Sequence, residues 1–131
     1  MTERTIELIN KFNPEPVDIP INKCELEEAV EAIYTSMFPV CECDGPTDVS
    51  KELFEALEKL HKNITKRTNE ITANRVVESF MENLPKIRHR LFKDAHCYVA
   101  SDPAAKSIEE VILTYPGFFA LSIHRLAHLL H

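Results

Sequence analysis

Glycine is scarce in this chain, which has two glycines and eight prolines in 131 residues. Tight hairpins and left-handed connections depend on glycine, so this scarcity argues against an all-β fold or a β-sandwich. Apolar residues recur instead at helical spacing through most of the chain. The sequence predicts a single all-α domain over residues 1–131, a bundle of about six to seven helices, in which the short β-leaning run 96–100 has no strand partner.

The helical periodicity divides the chain into segments bounded by prolines and polar residues. The predicted helices cover residues 3–12, 22–38, 48–70, 72–83, 86–95, 101–114 and 118–131. The connections between them include an extended run at 13–20, a loop at 39–46 and a turn at 115–117. Asn22 and either Thr47 or Asp48 are expected to cap helices, and Pro85 to begin one.

Charge and hydropathy narrow the range of partners. A net charge of -6 argues against nucleic acid, because phosphate binding needs a basic face. The basic cluster on the predicted helix 86–95 is therefore interpreted as a solvated face. No apolar run approaches the roughly 20 residues of a membrane span, and the charged N-terminus does not resemble a secretory signal. We expect a cytoplasmic protein with free thiols at its four cysteines, Cys24, Cys41, Cys43 and Cys97.

The tripeptide Asp102-Pro103-Ala104 is a candidate helix start. An Asp before Pro is not itself helical, so its carboxylate can accept hydrogen bonds from amides one turn ahead. A carboxylate has roughly four acceptor sites and a cap uses only one or two. Asp102 could therefore cap a helix and also present negative charge to a cationic ligand.

Three histidines, His124, His128 and His131, fall on one face of the predicted last helix. Imidazoles four residues apart can form half of a zinc site, although the H-E-x-x-H pattern is absent. Neither a Gly-rich phosphate loop nor a nucleophile in a triad context is present, so the chain contains no complete active site. One alternative is therefore a free-standing helical binding or oligomerisation module, which could hold a metal through these histidines.

Three motifs in order resemble the serine acetyltransferase family. They are Asp102-Pro103-Ala104, then Tyr115-Pro116-Gly117-Phe118, then His124-Arg125-Leu126-Ala127-His128. Members of that family carry a DPA turn, an apolar helix, a G-F turn and an R-[IL]-[AG]-H helix that leads into the catalytic domain. The match covers about the last thirty residues, and the preceding hundred fit the family's helical N-terminal domain in length and class.

The resemblance implies an enzyme that transfers acetyl from acetyl-CoA to the hydroxyl of L-serine, giving O-acetylserine, the precursor of cysteine. In the family, the catalytic residues and the acetyl-CoA site lie on a left-handed parallel β-helix of hexapeptide repeats, which this chain lacks. Its last helix shows no stop signal and is interpreted as truncated at that junction. We therefore expect this chain alone to hold no cofactor, metal or catalytic residue and to be inactive.

The resemblance also implies an assembly role. The family's helical domain helps to join two catalytic trimers into a hexamer, and its DPA aspartate, Asp102 here, belongs to the serine pocket. An absent C-terminal tail could bind O-acetylserine sulfhydrylase. The amphipathic helices predicted between Met1 and Ala95 have more apolar residues than one small core needs, so we expect self-association through them.

Overall fold

The computed structural model describes residues 1–12, 14–18, 20–40 and 48–130. They form six helices, namely α1 (Glu3–Lys11), α2 (Lys23–Met37), α3 (Val49–Thr65), α4 (Glu70–Ser101), α5 (Ile108–Thr114) and α6 (Pro116–His128). These residues contain no strand, so the predicted all-α class is confirmed. The predicted alternative cap Thr47, Cys41, Cys43 and His131 lie outside the described residues.

The first five helices begin where local side chains satisfy the free backbone N–H groups of the first turn. In each of these helices, a cap side chain accepts a hydrogen bond from the backbone N–H three residues further on. The cap residues are Thr2, Asn22, Asp48, Asn69 and Ser107. The predicted caps Asn22 and Asp48 are confirmed.

The long helix α4 is the centre of the packing. It contacts α3, α5 and α6, while α2 packs on α3 and α6. The largest fully buried apolar side chains come from four helices, which makes one continuous core. They are Ile33 of α2, Phe80 and Leu91 of α4, Val111 of α5 and Phe118 of α6.

The helices predicted at 72–83 and 86–95 are one helix in the structure. Pro85 lies inside α4, and the run 96–100, which is β-leaning in sequence, forms its last turns. A proline in a helix interior removes one backbone hydrogen bond and costs about 3 kcal/mol. Both sides of Pro85 bury apolar side chains in the same core, including Phe80, Leu84, Ile87 and Leu91. Tertiary packing therefore outweighs the local cost.

Three predicted boundaries were also wrong. α3 ends at Thr65 rather than near residue 70, because Asn69 caps α4. The helix predicted from residue 101 begins at Ile108, where Ser107 caps it. Pro116 and Gly117, predicted in a turn, are the first residues of α6, where proline is tolerated because its missing N–H has no helical partner.

Candidate substrate-binding site

Asp102 lies where α4 ends and the chain turns toward α5. Its backbone N–H donates to the carbonyl of Tyr98 at 2.9 Å. Its carboxylate oxygen Oδ1 accepts a hydrogen bond from the N–H of Ala104 at 2.9 Å, and its carbonyl accepts one from the N–H of Ala105 at 3.0 Å. The Asp-Pro-Ala motif therefore forms a tight turn in which a local backbone group binds one carboxylate oxygen.

Two roles were predicted for Asp102, a helix cap and a carboxylate for a cationic ligand, and the structure contradicts the first. The residue ends α4 as its C-cap and does not cap α5, so the predicted helix start was wrong. The second, a carboxylate available to a cationic ligand, stays a prediction. The side chain is half-buried, and the ion pairs among the described residues do not include it. The carboxylate of Asp102 therefore has unused acceptor sites that could bind an ammonium group.

The charge of the same carboxylate influences Tyr115. Tyr115 separates α5 from α6 and is half-buried. Burial raises the pKa of Tyr115, and the negative charge of Asp102, a hydrogen bond with Asp102 and the charge of Glu110 raise it further. The phenol therefore stays protonated across the neutral pH range, as an ordinary tyrosine does.

Glu110 lies in the first turn of α5 and takes part in the capping of that helix. Its N–H donates to Ser107 Oγ at 3.1 Å, and its Oε2 accepts a hydrogen bond from the N–H of Lys106 at 2.8 Å. This reciprocal pattern resembles a capping box, and it fixes the carboxylate beside the start of the helix. The charge of Glu110 adds to that of Asp102 in raising the pKa of Tyr115.

Three aromatic side chains, Tyr98, Tyr115 and Phe118, pack together near the turn that follows α4. The ring of Tyr98 meets the rings of Tyr115 and Phe118 edge to face, with centroids 6.2 and 6.1 Å apart. From α2, the Tyr34 hydroxyl donates to the carbonyl of Ile112 in α5 at 2.6 Å, and burial raises the pKa of Tyr34 to about 12. α5 is therefore held between α2 and α4.

The sequence did not reveal that Tyr98 contacts both Asp102 and Tyr115, or that Glu110 is fixed at the start of α5. The pattern Ser107-Ile108-Glu109-Glu110 is a capping-box signature that could have located the start of α5 and the position of Glu110. No local signal identifies Tyr115, because the path of α5 brings it back to the end of α4. Its ring contact with Tyr98 is decided by tertiary structure.

The histidines of α6 do not assemble a metal site within the described residues. The His124 and His128 rings are stacked, with centroids 6.4 Å apart. They line a cavity of 190 Å³ together with Ile87, Arg90, Arg125 and Leu129. The described part of the chain contains no group of three His, Cys, Asp or Glu side chains that could hold a metal ion. The third predicted ligand, His131, lies outside it.

Two other sequence expectations concern thiols and membranes. Cys24 and Cys97 are free and exposed. The described helices include none that is both long enough and apolar enough to cross a membrane.

The fold matches solved structures over almost its whole length. It is similar to serine acetyltransferase isoform 3 of Entamoeba histolytica in complex with cysteine, with a TM-score of 0.73 and 23% identity. It is equally similar in TM-score to serine acetyltransferase 1 of that organism, at 25% identity in the complex with L-cysteine and 26% in the native structure. The matches cover 97% of this chain and 48%, 49% and 50% of those chains.

The helical fold of this chain is therefore shared with part of each of these serine acetyltransferase structures. The chain belongs to the family "Serine acetyltransferase, N-terminal", whose model matches residues 47–123. A plasmid-encoded serine acetyltransferase of Synechococcus elongatus is 36% identical in an alignment of length 77 that covers 53% of this chain and 24% of that protein. The chain thus spans about a quarter of that relative and about half of the E. histolytica proteins.

Proposed function

We propose that this chain is the assembly and substrate-binding domain of a serine O-acetyltransferase, an enzyme that converts acetyl-CoA and L-serine into O-acetyl-L-serine and CoA. The observation that carries the proposal is the carboxylate of Asp102. It lies in the segment that matches the family, and its remaining acceptor sites suit an ammonium group. In this proposal the general base and the acetyl-CoA site belong to a catalytic domain outside residues 1–131, and the enzyme works in the cytoplasm.

The ammonium group of serine is the part of the substrate that Asp102 would bind. A hydrogen bond between two ions is stronger than a neutral one, at about 1.5–3 kcal/mol. L-cysteine carries the same ammonium and carboxylate groups, and two of the similar structures are complexes with cysteine. Asp102 would therefore bind cysteine as well as serine.

We expect the 131-residue chain by itself to show no acetyl transfer. Its described elements are all α-helices, whereas the resemblance to the family places the general base and the acetyl-CoA site on a β-helix. Release of the CoA thiol from acetyl-CoA in the presence of L-serine measures this directly, with the intact enzyme assayed alongside. Turnover by the chain alone would contradict the expectation, and an intact enzyme that acetylates another acceptor but not L-serine would overturn the proposed substrate.

The assembly role is supported by α1. This helix has no buried residue, and its apolar side chains Ile6, Leu8, Ile9 and Phe12 are 46–79% exposed. An isolated helix of nine residues is marginal in water, and covering one large apolar side chain contributes about 1.5–3 kcal/mol. We propose that a second copy of the chain covers this face.

Ile9→Glu should weaken self-association at least tenfold, because it places a charge in the middle of the apolar face of α1. Asn10→Glu adds the same charge on the polar face and serves as the matched control. Sedimentation of the chain at micromolar concentration should show a species heavier than 15.0 kDa that Ile9→Glu shifts toward 15.0 kDa. A wild-type chain that sediments only at 15.0 kDa would contradict the assembly role.

A further inference from the structure

Positive charge is concentrated where α6 packs on α4, although the chain as a whole carries a net charge of -6. The run 86–93 of α4 contains lysines and arginines and no acidic residue, and α6 (Pro116–His128) also lacks Asp and Glu. In sequence the run 86–93 is interpreted as a solvated face. The packing of the two helices instead places one of its arginines, Arg90, beside the basic residues of α6.

These residues surround the cavity of 190 Å³ between α4 and the end of α6. Its lining consists of Ile87, Arg90, His124, Arg125, His128 and Leu129. The described residues that line it thus include four basic side chains and no Asp or Glu. A water molecule takes about 30 Å³, and sites for larger organic ligands begin at about 300 Å³. The cavity therefore has the size for a small ion.

Asp94 fixes one side of the Arg125 guanidinium group. Asp94 Oδ2 lies 2.8 Å from Arg125 Nη2, and both side chains are half-buried. A guanidinium group carries five N–H donors, so an ion pair through one nitrogen orients the group and leaves further donors for another acceptor. The ring of His124 is also constrained, since it stacks on the ring of His128 at 27°.

The charges at this cavity do not cancel. The charged and titratable side chains there are Arg90 and Asp94 of α4 and His124, Arg125 and His128 of α6. Asp94 offsets one of the two arginine charges, and the ion pairs among the described residues do not include Arg90. The cavity is therefore positive even when both imidazoles are neutral, and it becomes more positive when they are protonated.

We propose that this cavity binds a small free oxyanion of the sulfate or phosphate type between Arg90 of α4 and His124 and Arg125 of α6. Guanidinium groups present paired N–H donors that match oxyanions, and hydrogen bonds between ions are about twice as strong as neutral ones. A tetrahedral anion has oxygens in several directions, so one ion can accept hydrogen bonds from both helices. The proposal is independent of the role of Asp102, and its failure would leave that role intact.

Binding can be measured by titrating the 131-residue chain with sodium sulfate while sodium chloride is lowered to keep the ionic strength constant. We expect the NMR signals of the His124 ring and of the Arg90 and Arg125 side chains to shift and to saturate together, with a Kd on the order of 1 mM. Inorganic phosphate should shift the same signals and compete with sulfate. Signals that do not saturate with either anion would overturn the proposal.

Arg90→Gln should weaken sulfate binding about tenfold, which is the effect of losing one charge-assisted hydrogen bond. Lys93→Gln is the matched control, because it removes the same charge from an exposed position of α4 that does not line the cavity. It should change the Kd less than twofold or threefold, since a distant exposed charge is screened by salt. Equal Kd values for the two variants would overturn the proposal, because they would reduce the site to a general attraction of anions.

The pH dependence of the Kd tests the imidazole of His124. Sulfate keeps both negative charges across the neutral range, whereas imidazoles gain a positive charge as the pH falls. We therefore expect wild type to bind sulfate about tenfold more tightly at about pH 5.5 than at about pH 8. His124→Gln should reduce this difference, and Lys93→Gln should retain it. A wild-type Kd that is the same at both pH values would remove His124 from the site and overturn the proposal as stated.

Discussion

Asp102→Asn in the intact enzyme is expected to raise the KM for L-serine ten- to a hundredfold and to leave the KM for acetyl-CoA nearly unchanged. The substitution removes the negative charge and therefore the ion-pair component of the contact with the ammonium group. A charge-assisted hydrogen bond is worth about 1.5–3 kcal/mol, and each 1.4 kcal/mol corresponds to a factor of ten in affinity. Steady-state kinetics with each substrate varied in turn measure the effect.

The fold should tolerate this substitution. Asn keeps a side-chain oxygen that can accept the N–H of Ala104, so the turn after α4 should lose only about a few tenths of a kcal/mol. Inhibition by L-cysteine should weaken in parallel with serine affinity, because both ligands carry the same ammonium group. An unchanged KM for serine in a folded Asp102→Asn enzyme would remove Asp102 from the substrate site and leave the fold assignment intact.

Phe118→Ala is expected to cost about 3–5 kcal/mol of unfolding free energy. Phe118 is 0% exposed, and its ring meets those of Tyr98 and Phe38. It thus joins α6 to α4 and to the end of α2, so its removal leaves a cavity where three helices meet. Urea unfolding of the 131-residue chain, followed by circular dichroism, measures the loss.

Phe119→Ala is the matched control, since it removes the same side chain one position further on. Phe119 is 39% exposed and has one aromatic neighbour, Tyr34, at 5.0 Å. It should lose about 1 kcal/mol, in proportion to its smaller buried area. Equal losses for the two variants would show that Phe118 is not part of the central core.

Most of the helical structure can be predicted from local sequence. Asn22 and Asp48 begin helices because their side chains satisfy backbone donors only three residues away. The apolar spacing of residues such as Ile33 and Leu60 likewise depends only on the helical period, and both are buried. The family motifs around Asp102 and Gly117 are also contained in the sequence, and they were sufficient to predict the family that residues 47–123 match.

The sequence by itself therefore determined the all-α class, most of the helix positions and the family, because each depends on residues close together in the chain. Tertiary structure decided that α4 continues through Pro85, since buried side chains on both sides of the proline outweigh one lost hydrogen bond. It also decided that Asp102 ends α4 and that the ring of Tyr98, in the last turn of α4, packs against the ring of Tyr115. Such contacts depend on how α5 packs between α2 and α4, and local propensity carries no information about that packing.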